Sequence, residues 1–164
     1  MSSSSSSDSN DGPSESSRKR QRTPGQWKKN VAKKKRNLGQ AYESGEPSGG
    51  HVAARTIGLP CRCGCFEKVG RENVQQVFSE FWALGDFNLQ NEYLASVIKS
   101  IDVARSRVKE RPSRRKRSVT YNVKCQSELI SVCAVAFRNI HGIGERRVRT
   151  VLDKVSSTGI VEKD

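Results

Sequence analysis

The chain has 164 residues, only 34% of them hydrophobic, and a formal net charge of +13, which suits one domain with long extensions and hardly two domains. No apolar run approaches the roughly 18 residues of a spanning helix, and the N-terminus lacks the apolar stretch of a secretory signal, so neither is expected. A pI of about 9.9 exceeds what solubility requires and points to polyanionic partners, either nucleic acid or an anionic membrane face.

Residues 1–17 are Ser-rich, with no apolar residue after Met1, and read as a disordered leader that cannot bury enough surface to offset its ordering entropy. Residues 18–36 hold ten Lys/Arg and no acid, split into "RKRQR" and "KKNVAKKKR". The run reads as a nuclear import segment through Arg18, Lys19, Arg20, Arg22, Lys33, Lys34, Lys35 and Arg36, as a flexible arm on a phosphate backbone, or as a solvated linker. Trp27 within it is placed either to stack on a base or to dock on the body. Residues 37–60, with "ESGEPSGGH" at their centre, read as a linker. A nucleic-acid-binding domain is expected over 61–164.

Within that domain "ENVQQVFSEFWAL" puts Val74, Val77, Phe78, Phe81 and Trp82 on one stripe of a helix, with Gly85 ending it and Asp86 as N-cap of the next. "FNLQNEYLASVIKSI" continues the pattern through Leu89, Tyr93, Leu94, Val97, Ile98 and Ile101, predicting a helical hairpin. Residues 104–117 carry eight Lys/Arg against one Glu, and Pro112 forbids a helix across them. "SVTYNVKC" then alternates as a half-buried strand. Pairing with the segment Ile101 to Val108 would make the basic block, with Arg114, Arg115, Lys116 and Arg117, the tip of a β-hairpin.

"ELISVCAVAFRNI" reads as a strand or turn leading into a short helix, "HGIG" as a turn, and "ERRVRTVLDKV" as a helix with Val148, Val151, Leu152 and Val155 inward. The expected fold is therefore α+β and mostly helical. Helix, glycine-containing turn and helix outline a helix-turn-helix-like pair, in which Arg138, Arg146, Arg147 and Arg149 are nucleic-acid contacts. Two other readings stay open: a glycine hairpin whose backbone N–H groups approach phosphates, and an ordinary corner between core helices. His141 falls in the turn and reads as solvent-facing rather than as a base.

The five cysteines include "CRCGC". Zinc takes four tetrahedral ligands, and spacings of one residue are poor for chelation unless the chain turns within the motif. The candidate set is Cys61, Cys63, Cys65 and Cys133, with Cys125, His51 and His141 as other distant donors and free thiols as the alternative. No nucleophile elbow, P-loop or H-E-x-x-H is present, so a non-catalytic role is expected.

"WKKNVAKKKRNLGQAY", "LPCRCGCFEKV", "FWALGDFNLQNEYL" and "VCAVAFRNIHGIGERRVRTVLDK", in this order, resemble the N-terminal region of uncharacterised transposon-derived proteins found in many copies in invertebrate genomes. The resemblance covers roughly residues 26 to 155. Longer members continue into an RNase H-like, transposase or integrase-type domain, so the resemblance implies nuclear DNA recognition here with strand chemistry in a later domain. The chain thus reads as a copy retaining a binding half, with duplex DNA, an import receptor and a full-length transposase relative as expected partners. The alternatives are an RNA- or ribosome-associated basic protein and a transposon remnant with no selected activity.

Overall fold

The computed structural model describes residues 22–45, 49–102 and 117–158. It is a mixed α+β fold with six α-helices and two small antiparallel sheets. The Ser-rich leader, Arg18, Lys19, Arg20 and the block Arg114, Arg115 and Lys116 lie outside the described residues.

A 3-10 turn at Pro24–Gln26 leads into helix α1, Lys28–Asn37. The basic run expected as an arm or import segment is thus helical over its second half. Its Ala, Lys and Arg are good helix formers, and Lys34, Lys35 and Arg36 sit in the last turn, where cations complement the helix dipole.

The stretch read as a linker is fastened to the body. Strands β1, Tyr42–Glu43, and β2, His51–Val52, pair antiparallel, and the Arg55 N–H donates to the Gly39 carbonyl at 2.7 Å. Gly39 has φ +67°, and a Cβ there would lie 2.7 Å from the Trp82 ring. Further on, the Gly58 N–H donates to the Asn139 carbonyl at 2.9 Å and the Asn139 amide to the Leu59 carbonyl at 2.6 Å. Gly39 and Gly58 thus mark close approach to a neighbouring surface.

Helix α2, Cys65–Val69, turns through Gly70 into α3, Arg71–Ala83, and α4 runs over Phe87–Val97. As expected, Gly85 separates the last two (φ +59°) and Asp86 caps α4, accepting from the N–H groups of Asn88 and Leu89. Val74, Val77, Phe81 and Trp82 are buried, matching the stripe.

The expected helix through Ile101 is too long. The chain leaves α4 at Val97 and continues directly as β3, Ile98–Asp102. Two forces end the helix: the Asn122 amide on the next strand takes the Val97 carbonyl at 3.0 Å, and Ile98 pairs with Tyr121. Tertiary pairing outweighs the helical periodicity of a segment rich in β-branched residues.

Strand β4, Arg117–Cys125, is central in the order β3-β4-β5, with β5 at Glu128–Val132. The expected hairpin therefore exists with an earlier first strand, and residues 103–116 link its two arms. A third strand joins through the two-residue turn Gln126–Ser127, where Gln126 adopts φ +52°; lacking Gly or Asn-Gly, that turn gave no sequence signal.

Helices α5, Ala134–His141, and α6, Glu145–Thr158, complete the domain. α3 packs on α5, α4 on α6, and the sheet lies against α3, α4 and α5. Val148 and Val151 are buried, with Leu152 and Val155 half-buried behind them.

Candidate functional site: a cysteine cluster and a basic cleft

The first constellation grows out of a turn that brings together cysteines spaced by single residues. Gly64 adopts φ +70°, which folds "CRCGC" back on itself just before α2. The Cys63 thiol donates to the Cys61 sulfur at 3.3 Å and lies 3.4 Å from the Cys65 sulfur. Cys133 arrives from the far end of the chain as the N-cap of α5. All four sulfurs lie within 4.8 Å of one another. Tetrahedral zinc with bonds of about 2.3 Å needs sulfur–sulfur edges of about 3.8 Å, so the four can hold a metal such as zinc with little movement.

Backbone N–H groups reach two of the four sulfurs. The Cys133 N–H donates to the Cys65 sulfur at 3.4 Å, and the Ala136 N–H to the Cys133 sulfur at 3.3 Å. Such N–H···S bonds are the outer support that metal thiolates require. Burial opposes ionising Cys61, yet hydrogen bonds from the Cys63 and Cys133 thiols and the nearby backbone outweigh it and bring the pKa down to about 6. Cys63, hydrogen-bonded to Cys133, Cys61 and Cys65, is pushed up to about 12. The other donors considered have different roles: Cys125 is a buried thiol of β4, and His51 pairs with Glu43 at 2.9 Å across the β1–β2 ladder.

His141 overturns its expected exposure. It is fully buried on the inner face of α5, one turn after Phe137, whose carbonyl takes its Nδ1 at 2.8 Å. Phe81, Tyr93 and Phe137 surround the ring, Nε2 has no partner among the described residues, and burial lowers the pKa to about 4.

The second constellation is a cleft of about 440 Å³ between α1, α4 and α6, walled by Lys33, Arg36, Arg55 and Arg147, with Trp82 and Phe87 as apolar surface. Asp86 is the one acidic residue among its lining, and its carboxylate already caps α4. Arg147 is fixed from below: its Nε and Nη2 donate to the Asn91 carbonyl oxygen at 3.2 and 3.1 Å, and Nη2 also to that of Gln90 at 2.9 Å. Its guanidinium lies 4.6 Å from the Phe87 ring centroid and 5.6 Å from that of Phe81, a cation–π arrangement. Burial first, and then the charge of Arg55, lower its pKa to about 10, so it stays charged at neutral pH.

The remaining arginines assigned to nucleic acid separate. Arg146 is exposed. Arg138 and Arg149 both pair with Glu145, at 2.8 and 3.0 Å, which damps their charge at the start of α6. Arg117 opens β4 opposite Asp102. In the glycine turn, Gly142, φ +61°, caps α5 and would place a Cβ 2.8 Å from the Thr56 carbonyl, whereas Gly144 faces open space. Gly142 is thus covered by the chain's own segment. Phe87, Gln90 and Asn91 carried no sequence signal, because their convergence on Arg147 depends on α4 packing against α6, and Arg55 carried none because its segment is tied back to Gly39 only in the fold.

No family model, curated protein or solved structure matches the chain.

Proposed function

We propose that the chain is a non-catalytic nuclear DNA-binding module, with zinc at Cys61, Cys63, Cys65 and Cys133 as a structural centre and the α1 side of the molecule as the binding face. The observation that carries the reading is the convergence of Lys33, Arg36, Arg55 and Arg147 on one cleft whose sole acidic lining residue is engaged elsewhere. Helix α1, which supplies Lys33 and Arg36, carries four further Lys and no acid. Cations without carboxylate partners repel one another, and a phosphate backbone relieves that repulsion while releasing its own counterions.

Zinc in this reading does no chemistry. Four protein sulfurs would leave no open coordination position, as in structural sites, and the metal would tie the turn before α2 to the start of α5. The resemblance to the N-terminal part of transposon-encoded proteins accords with this division between binding and strand chemistry.

A second reading, single-stranded nucleic acid such as looped RNA, is favoured by Trp27 and Phe87, which are 55% and 43% exposed beside the cations and offer stacking faces. Competition of the full chain between duplex DNA, single-stranded DNA and a structured RNA at one salt concentration separates the two. Duplex DNA as the strongest competitor supports the proposal, and RNA as the strongest replaces it with the second reading.

A further inference from the structure

The interior of the α1–α4–α6 cleft differs in kind from the convex basic surface around it. A cation on an exposed helix meets phosphate as a mobile point charge, but Arg147 is held: three hydrogen bonds to Gln90 and Asn91 and the Phe87 ring fix its plane. The Nη1 of that guanidinium has no partner among the described residues. Arg55 is close enough for its charge to disfavour that of Arg147, and no described carboxylate bridges the pair. Two adjacent guanidiniums without a bridging anion are a standing electrostatic cost, and one that a bound anion removes.

We infer that this cleft is a phosphate site, in which Arg147 and Arg55 grip the phosphate oxygens of a nucleic-acid strand while Lys33 and Arg36 close it from α1.

The chemistry points to phosphate over carboxylate. Four cations facing a single, already engaged carboxylate leave a surplus that suits the successive phosphodiesters of a strand, each with one negative charge and two free oxygens that a guanidinium fork matches, better than one carboxylate. The volume, about 440 Å³, exceeds that of a bare ion, and the half-exposed Phe87 ring on the wall suits the sugar or base next to the phosphate. The α4 N-terminus is not the anion site, since Asp86 takes its first free N–H groups. The inference rests on the proposed function only for the source of the phosphate.

Trp82 lines the cleft and is one of two tryptophans, so a full-length Trp27→Phe protein reports on the cleft by Trp82 fluorescence. Inorganic phosphate is titrated at constant ionic strength, alone and against a short single-stranded oligonucleotide. The expected result is a saturable change that the oligonucleotide reverses, with apparent affinity at least about fivefold weaker in Arg55→Ala and unchanged in Lys124→Ala, which alters an exposed cation outside the cleft. Arg55 is exposed, so its loss leaves the fold intact, as circular dichroism will check. A change that chloride reproduces, or that Arg55→Ala leaves unaltered, overturns the phosphate site even if the protein binds DNA. Saturation that no oligonucleotide reverses overturns the assignment to a strand. Saturation with reversal in a protein that ignores duplex DNA supports the site and refutes the duplex reading.

Discussion

The sulfur of Cys65 accepts the backbone N–H of Cys133 at 3.4 Å, across 68 residues of sequence. This contact joins the turn that precedes the helical hairpin to the strand-to-helix junction, and makes the cysteine cluster a clasp between the two parts of the domain. Purified under reducing conditions, the protein is expected to carry one zinc per chain by native mass spectrometry. Cys133→Ser should lose it, with stability falling by about 4 kcal/mol when zinc is at a thousandfold its dissociation constant. Equal metal content in variant and parent would refute the site.

Arg147 belongs to the core as much as to the surface. Arg147→Ala strips hydrogen bonds from Gln90 and Asn91, which are 1% and 5% exposed, and is expected to cost about 2–3 kcal/mol. Arg146→Ala, one residue away but exposed, should stay within about 0.5 kcal/mol. Urea denaturation of the two variants checks the contrast, and similar losses would contradict it.

His141 predicts a pH dependence. Its pKa is about 4 in the fold, against about 6.5 in an unfolded chain, so only the unfolded state takes up a proton as pH falls through this window. The neutral ring's contribution is complete above about pH 6.5 and is lost progressively towards pH 4. Between pH 7.5 and pH 5 the loss should be about 2 kcal/mol, and His141→Phe should flatten that part of the profile measured by chemical denaturation. An unchanged profile would assign the acid sensitivity to other groups.

Gly39 ties the N-terminal segment to Trp82. Gly39→Ala adds a side chain at positive φ and 2.7 Å from the indole, and should destabilise by about 2 kcal/mol. Gly45→Ala, which meets nothing within 4 Å, should be neutral in the same thermal melts.

Much of the helical hairpin was legible because Val74, Val77, Phe81 and Trp82 repeat at helical spacing and Asp86 is a natural cap. The cysteine set was legible as a composition, although only the left-handed Gly64 explains how neighbours spaced by one residue converge. What escaped was decided at a distance. Ile98 becomes strand because Tyr121 pairs with it and Asn122 takes the preceding Val97 carbonyl, and His141 is buried because Phe137 and Ile140 carry α5 inward past the expected turn. Lys33 and Arg36 were legible as charge, but their place across a cleft from Arg147 follows from α1 docking on the body, which no local pattern encodes.

The most direct test of the account is the salt dependence of duplex DNA binding by the full chain, beside Lys33→Ala/Arg36→Ala/Arg55→Ala, which changes three exposed side chains of the cleft. The parent is expected to bind with log affinity falling by about 0.9 per log salt for each phosphate neutralised, and the triple variant to bind more weakly with a shallower slope. Equal affinity and equal slope for the two proteins would contradict it.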